Sequence, residues 1–420
     1  MTHAAPDATA SSPPVDTPES LARERWLIGV LTAINVTHIL DFVVMNPLAP
    51  QLMRQFQITT AQFTVGLSAY TFAAAIASFA GALVIDRWER RRVLLWLYGG
   101  FIVSTVACAL AGSFPMLVAA RCAAGICGGM LGSLVNTIVA ENVPYARRGA
   151  AMGRVVSAFS VASVLGIPAG VWLAAVAGWH ATFLAVAAAS LPIAFVATRV
   201  LPEMRGHLQG SPRSPWRTCR DLLRVPMHGL ILLFSGVMTF AGFLVIPLIA
   251  IFLARNLGVA EAALGLVYLC GGLVGLVSSP WIGRLADRHG KHRTFLILAG
   301  LSLMPTLALT HLTTTSLPVI LLVTTGFIVI GGGRFIPASA LISEAMAPAH
   351  RGGVLSLQSG VHSAAIGLAA LTGGLLVHQA GPLAPLEGFG LVGWVACAVV
   401  LAGAALSLTV KARHEPAQVV

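Results

Sequence analysis

The sequence predicts an all-α integral membrane protein, with twelve transmembrane helices in two pseudo-symmetric six-helix bundles. Three observations carry that prediction. Of 420 residues, 57% are apolar and only 10% charged, and the mean hydropathy is +0.85; a soluble chain carries about a quarter charged residues. Apolar runs long enough to cross a ~30 Å hydrocarbon core recur along the whole chain. A polar loop then occurs twice, at 80–92 (AGALVIDRWERRR) and 283–293 (GRLADRHGKHR), placing Asp86 and Asp287 201 residues apart, close to half the chain. Arg90 and Arg91 follow Asp86 at the distances at which Lys291 and His292 follow Asp287, so the halves read as a duplicated membrane unit.

Residues 1–22 are rich in Pro, Ser and Ala and read as a disordered cytoplasmic tail. They lack the basic start and short apolar core of a signal peptide, so the first helix is expected to be retained. A first six-helix bundle is expected over 23–200, with spans near 26–48, 62–85, 93–112, 115–140, 150–175 and 180–200. Residues 201–225 are polar, basic and Pro-bearing and form a cytoplasmic linker, with an amphipathic surface helix possible around 216–225. The second bundle, 226–410, has spans near 227–253, 261–285, 293–312, 316–344, 352–379 and 385–410, and 411–420 is a cytoplasmic tail.

The net charge of +11 does not point to nucleic acid, because of where it sits. Of 26 Lys and Arg, 21 fall in the N-terminal tail, the even-to-odd loops and the C-terminus. Arg54 and Arg255 fall on the other side, and Arg121, Arg154 and Arg334 lie inside spans. That asymmetry places both termini in the cytoplasm, in a cell inner (plasma) membrane, with lipid headgroups as partners of the basic loops. The six cysteines have no CxxC spacing, and neither a metal site nor any cofactor is indicated. No Walker A pattern occurs, so ATP drive within this chain is not expected.

Asp41 is the most unusual residue of the first half, a lone carboxylate in an otherwise uncharged span. Buried carboxylates are expensive and mark pathways or proton sites. The alternative is a capping Asp near the outer surface, with the helix ending earlier. Asn35 and His38 precede it, and i, i+3 spacing puts His38 on the same face. Fifteen residues from Trp26 put Asp41 ~22 Å from the inner boundary, and six from Pro115 put Arg121 ~9 Å below the outer one, so their depths coincide within a turn. Arg121 cannot be neutralised at ordinary pH and needs a partner. Depth gives no azimuth, so whether the two face each other stays open. In the second half, Arg334 is a charge within span 10, with Gln358 and His362 on span 11 as weaker cavity candidates.

The paired loops resemble the motif between helices 2 and 3 of the major facilitator superfamily, G-x-L-x-D-R-x-G-R-K. The second copy matches through Gly283, Leu285, Asp287, Arg288, Gly290 and Lys291. The first keeps Asp86, Arg87, Arg90 and Arg91 but has Ala82 and Glu89 where the family has glycine. Span 4 resembles the family's helix-4 motif through Arg121, Gly125 and Gly129. Gly166, Pro168 and Gly170 resemble the helix-5 packing motif frequent in exporters, without its usual Gly-Pro pair. Gly178-Trp179-His180 resembles a family Gly-Trp-Arg, with Trp179 expected as an interfacial anchor. The run LDFVVMNPLAP around Asp41 is similar to helix 1 of proton-coupled drug exporters, in which an acidic residue is implicated in proton exchange.

The resemblance implies the major facilitator fold and a non-enzymatic secondary transporter, a monomer that exports a small molecule (drug, sugar or metabolite) in exchange for protons. Asp41 and Arg121 would couple protons, and Asn35, His38, Arg334, Gln358 and His362 would line the cargo cavity. Gating would fall to two repeats of one latch: Asp86, Arg87, Arg90, Glu141 and Arg148, then Asp287, Arg288, Lys291, Glu344 and Arg351. The glutamates, like Arg148 and Arg351, are 203 residues apart. The same residues also read as surface ion pairs worth ~0–1 kcal/mol each. Symport or uniport of a nutrient, and a membrane sensor that transports nothing, are the alternative functions.

Overall fold

The computed structural model describes residues 17–84, 88–204, 220–222, 224–346 and 351–412. Its regular elements are helices, with one isolated bridge between His378 and Glu387. Twelve are long and apolar enough to cross a membrane: α1 (Leu21–Val43), α2 (Thr60–Gly81), α3 (Arg90–Ala109), α4 (Phe114–Asn142), α5 (Arg147–Ala177), α6 (Trp179–Val200), α7 (Pro226–Arg255), α8 (Glu261–His289), α9 (Lys291–Thr310), α10 (Leu317–Glu344), α11 (Leu357–Leu376) and α12 (Phe389–Val410). The chain is a multi-pass membrane protein of two six-helix halves.

The ends of the spans differ from expectation in identifiable ways. The first helix begins at Pro18, inside the segment expected as tail. Proline's fixed φ suits a first helical turn, and Glu19 there meets the positive end of the helix dipole. That span stops at Val43 rather than near 48; turns follow over 44–48, then a short helix, Ala49–Phe56. Half of the expected surface helix at 216–225 lies outside the described residues, with 220–222 helical, and Asp86 and Arg87 also lie outside them.

Interior breaks follow the local chemistry. Within α5 a π-turn, Ala162–Gly166, comes just ahead of Pro168, whose missing N–H leaves a carbonyl that the wider turn accommodates. α7 loosens between Phe243 and Ile246, and α10 is interrupted at Arg334. The two copies of the repeated loop turn differently. Gly290 opens α9 at φ 89°, a conformation that calls for glycine. Glu89 opens α3 at φ −60° and pairs with Arg92 at 3.0 Å. The first copy therefore has no need of the family's glycine.

The halves touch along two pairs of helices. On α11, Gly360, Gly367 and Gly374 recur every seven residues, and a Cβ on any of them would run into Phe79, Thr71 or Thr64 of α2. On α8, a Cβ at Gly272 would press against Val164 of α5, while one at Gly265 would rest in ordinary contact with Pro168 and Val171. Small residues at such spacing let helices approach closely. At the membrane face opposite the termini one apolar cluster draws on both halves, with Met45, Leu52 and Phe183 beside Leu248, Phe252 and Phe389. At the face carrying the termini each half keeps its own, around Tyr98 and Ile138 in the first and around Phe234 and Phe295 in the second. The apolar clusters are thus shared by the halves at one face and separate at the other.

Candidate functional site

Asp41 is 0% exposed, two residues before α1 ends. Its Oδ2 accepts a 2.6 Å hydrogen bond from Arg121 Nη1, and Thr105 of α3 donates to Oδ1 at 3.4 Å. The guanidinium lies over the Tyr70 ring, 4.2 Å from its centroid, with Phe183 of α6 at 5.8 Å. Packing explains the approach: a Cβ at Gly125 would collide with the Tyr70 backbone, so α4 and α2 meet where glycine permits. Two opposite charges in a low-dielectric site attract strongly, and separating them leaves each uncompensated. The shared depth read from the sequence is thus completed by a shared azimuth.

The pair has polar neighbours with unused capacity. Arg121 Nη2, the Tyr70 hydroxyl and His38 Nδ1 are buried atoms with no hydrogen-bond partner among the described residues. Asn35 ties α1 to α5 by donating to the Val155 carbonyl at 3.1 Å. Across the divide, Gln358 donates to Ser235 at 2.9 Å, and His362 Nδ1 lies 2.8 Å from the Thr239 hydroxyl, both joining α11 to α7. Rings link these groups: Tyr70 stacks on Phe42 at 5.4 Å, Phe42 meets Phe243 at 6.3 Å, and Phe243 meets His362 at 6.4 Å. Asn35, His38, Phe42, Phe243 and Gln358 are half-buried and His362 is exposed, so this line of side chains carries open surface.

Arg334 differs from the other cavity candidates. It is 3% exposed inside the second bundle, where Nη1 donates to Ser302 of α9 at 3.1 Å. No ion pair joins it to a described carboxylate, and the Phe335 ring is 5.8 Å away. The position equivalent to Asp41 in the second half, 201 residues on, is Gly242, and Arg334 Nη2 is 3.9 Å from where its Cβ would be. The second half therefore has a buried arginine without the aspartate.

The repeated loops form equivalent ion pairs. Arg90 reaches Glu141 at 3.1 Å, and Lys291 pairs with Glu344. Each pair lies within one half. Asp287 and Arg288 are exposed and form no ion pair with another described residue; the side chain of Arg351, like Asp86 and Arg87, lies outside the described residues. Arg148 turns back to the Val143 carbonyl at 3.4 Å, while its neighbour Arg147 pairs with Glu24 at 2.9 Å. Gly166 and Gly170 pack against Leu40 and Val44 of the first helix and its extension, and Pro168 faces α8. Trp179 is not an interfacial anchor: it is 2% exposed, stacked on His180 at 3.8 Å and near Phe56 at 5.6 Å, sealing the face opposite the termini.

Sequence reasoning missed the contacts between halves at that sealed face. Arg54 donates to both oxygens of Glu261, at 2.6 and 3.1 Å, and Arg255 donates to the Pro50 carbonyl at 3.0 Å. Gln379 accepts from the N–H and hydroxyl of Thr60 at 3.1 and 2.9 Å. The available signal was the charge pattern, since Arg54 and Arg255 are the two cations on the wrong side of the positive-inside bias.

The Major Facilitator Superfamily model matches residues 31–246 and 231–419. An uncharacterized MFS-type transporter, YceJ, of Bacillus subtilis (strain 168) is 26% identical over 83% of this chain and 88% of its own. A chloramphenicol resistance protein of Streptomyces lividans is 29% identical over 84% of this chain and 90% of its own. Among solved structures, a D-xylose–proton symporter superposes with a TM-score of 0.74 at 19% identity, covering 91% of this chain and 97% of its own. A bacterial homologue of the human lysosomal transporter Spinster, inward-facing and unoccupied, gives 0.72 at 17% identity over 94% and 98%. Twelve spans in two repeated halves, with these matches over nearly the whole length, place the chain in the major facilitator superfamily of transporters.

Proposed function

We propose that this transporter exports a small molecule from the cell in exchange for protons, acting as a monomer in the inner membrane with both termini cytoplasmic. The observation that carries the reading is the buried Asp41–Arg121 pair beside a line of accessible polar and aromatic side chains. A carboxylate whose counter-charge is a single arginine can take a proton only when that contact loosens, and loosening is what rocking of the halves supplies. Proton binding at Asp41 and cargo binding alongside then compete for one arrangement, which is the requirement for exchange. The 29% identical chloramphenicol resistance protein supports efflux as the direction and a drug-like cargo. Arg90–Glu141 and Lys291–Glu344 brace the loops at the cytoplasmic face, and Asp86, Arg87, Arg148, Asp287, Arg288 and Arg351 complete that gate.

The test uses purified protein in proteoliposomes with an imposed proton gradient and a cargo found by a resistance panel in an efflux-deficient host. Wild type moves cargo uphill against the proton flux, while Asp41→Asn exchanges cargo downhill only. Uphill export by Asp41→Asn at the wild-type rate removes the proton role. Accumulation of cargo along with protons replaces export by symport.

A further inference from the structure

Phe42 and Phe243 stand at equivalent places in the two halves, 201 residues apart, one residue after Asp41 and Gly242 respectively. Equivalent residues of two repeats meet only where the pseudo-twofold axis passes, so their contact marks that axis. The rings are 6.3 Å apart and inclined at 39°, each half-buried, with Tyr70 stacked behind one and His362 set edge-on against the other. A planar ring held between two others needs them about 7 Å apart, twice the stacking distance. A separation slightly larger than the present one, with the inclination removed, admits one aromatic ring and nothing thicker. Relative rotation of the halves changes that gap directly, because one ring belongs to each half.

The charges nearby define what else the ligand carries. Asp41 and Arg121 compensate each other, and Arg334 is buried behind Gly242 and bonded to Ser302. A cation would enter a low-dielectric site with its counter-charge already taken, and an anion would have to reach Arg334, which is 3% exposed inside the second bundle. Beside the paired guanidinium, whose Nη2 is unpartnered, the Tyr70 hydroxyl and His38 Nδ1 are also unpartnered and offer neutral hydrogen bonds. We propose that Phe42 and Phe243 form an axial clamp for an uncharged, planar aromatic cargo bearing hydroxyl or amide groups. The proposal names the cargo of the site described above, yet it concerns binding alone and does not depend on proton exchange.

Binding is measured with the full-length transporter in lipid nanodiscs, using four matched probes: 2-(2-naphthyl)ethanol, its cationic amine analogue, the anionic 2-naphthylacetate, and the saturated decalin alcohol. The naphthyl alcohol is expected to bind tightest, and the decalin alcohol roughly three- to tenfold more weakly, from loss of aromatic contact. Phe42→Leu and Phe243→Leu are each expected to remove that preference, and Phe243→Tyr to retain it. Equal binding of the decalin alcohol, or an undiminished preference in both leucine variants, overturns the clamp. Tighter binding of the amine or of the naphthylacetate overturns the neutral class, the latter pointing to Arg334. The comparison of probes on wild type requires no variant to fold. Because these measurements impose no proton gradient, ring selectivity in wild type is expected whether or not the protein exports, which separates the clamp from the export reading.

Discussion

Arg54 and Arg255, 201 residues apart, stand at equivalent places in the two halves, and each reaches across to the other half: Arg54 to Glu261, Arg255 to the Pro50 carbonyl. The result is a reciprocal clasp at the face opposite the termini. It lies over the apolar cluster that both halves share, where closure buries Leu52, Leu248 and Phe252.

Breaking the clasp should open that face modestly. The Arg54 and Glu261 side chains are 52% and 26% exposed, so the pair contributes about 0–1 kcal/mol and its loss moves the population by at most about fivefold. Spin labels at Gln57 and Leu383 report the distance between halves. Arg54→Ala and Glu261→Gln are expected to broaden it toward longer values, and the charge swap Arg54→Glu with Glu261→Arg to restore it.

The Asp41–Arg121 pair should behave as a unit. Arg121→Gln or Asp41→Asn alone leaves one buried charge unmatched, a loss of about 3–5 kcal/mol. The double variant removes both charges and is expected to recover most of the thermal stability while still failing to export uphill. Additive losses in the double variant would mean that the two residues act separately.

The two repeat-related pairs near the termini should not be equal. Arg90 is 6% exposed and Lys291 28%. Arg90→Ala strands Glu141 and empties a buried site, expected to cost about 1–3 kcal/mol, while Lys291→Ala falls within about 1 kcal/mol. Thermal unfolding of the two variants in one detergent gives the order directly.

Glycine replacements on α4 should separate packing from helix propensity. Gly125→Ala drives a methyl into the Tyr70 backbone and is expected to displace α2, weakening both stability and transport. Gly132→Ala in the same helix meets open space and is expected to be neutral, or stabilising by about 0.5–1 kcal/mol. Equal effects of the two would remove the close-packing argument.

Depth and order were legible in the sequence, because hydropathy and a fixed helical rise are one-dimensional rules. They set the twelve spans, the repeat spacing, and the common level of Asp41 and Arg121. They do not set rotation about a helix axis or the choice of lateral neighbour, which depend on which surfaces pack. Tertiary structure therefore decided that Arg121 bonds Asp41 under the Tyr70 ring, that Arg334 turns to Ser302, and that Trp179 is buried. It also decided that Phe42 meets Phe243 and that Arg54 clasps Glu261. The last two join residues 201 and 207 positions apart, across an interface where glycines on α11 let the halves come close.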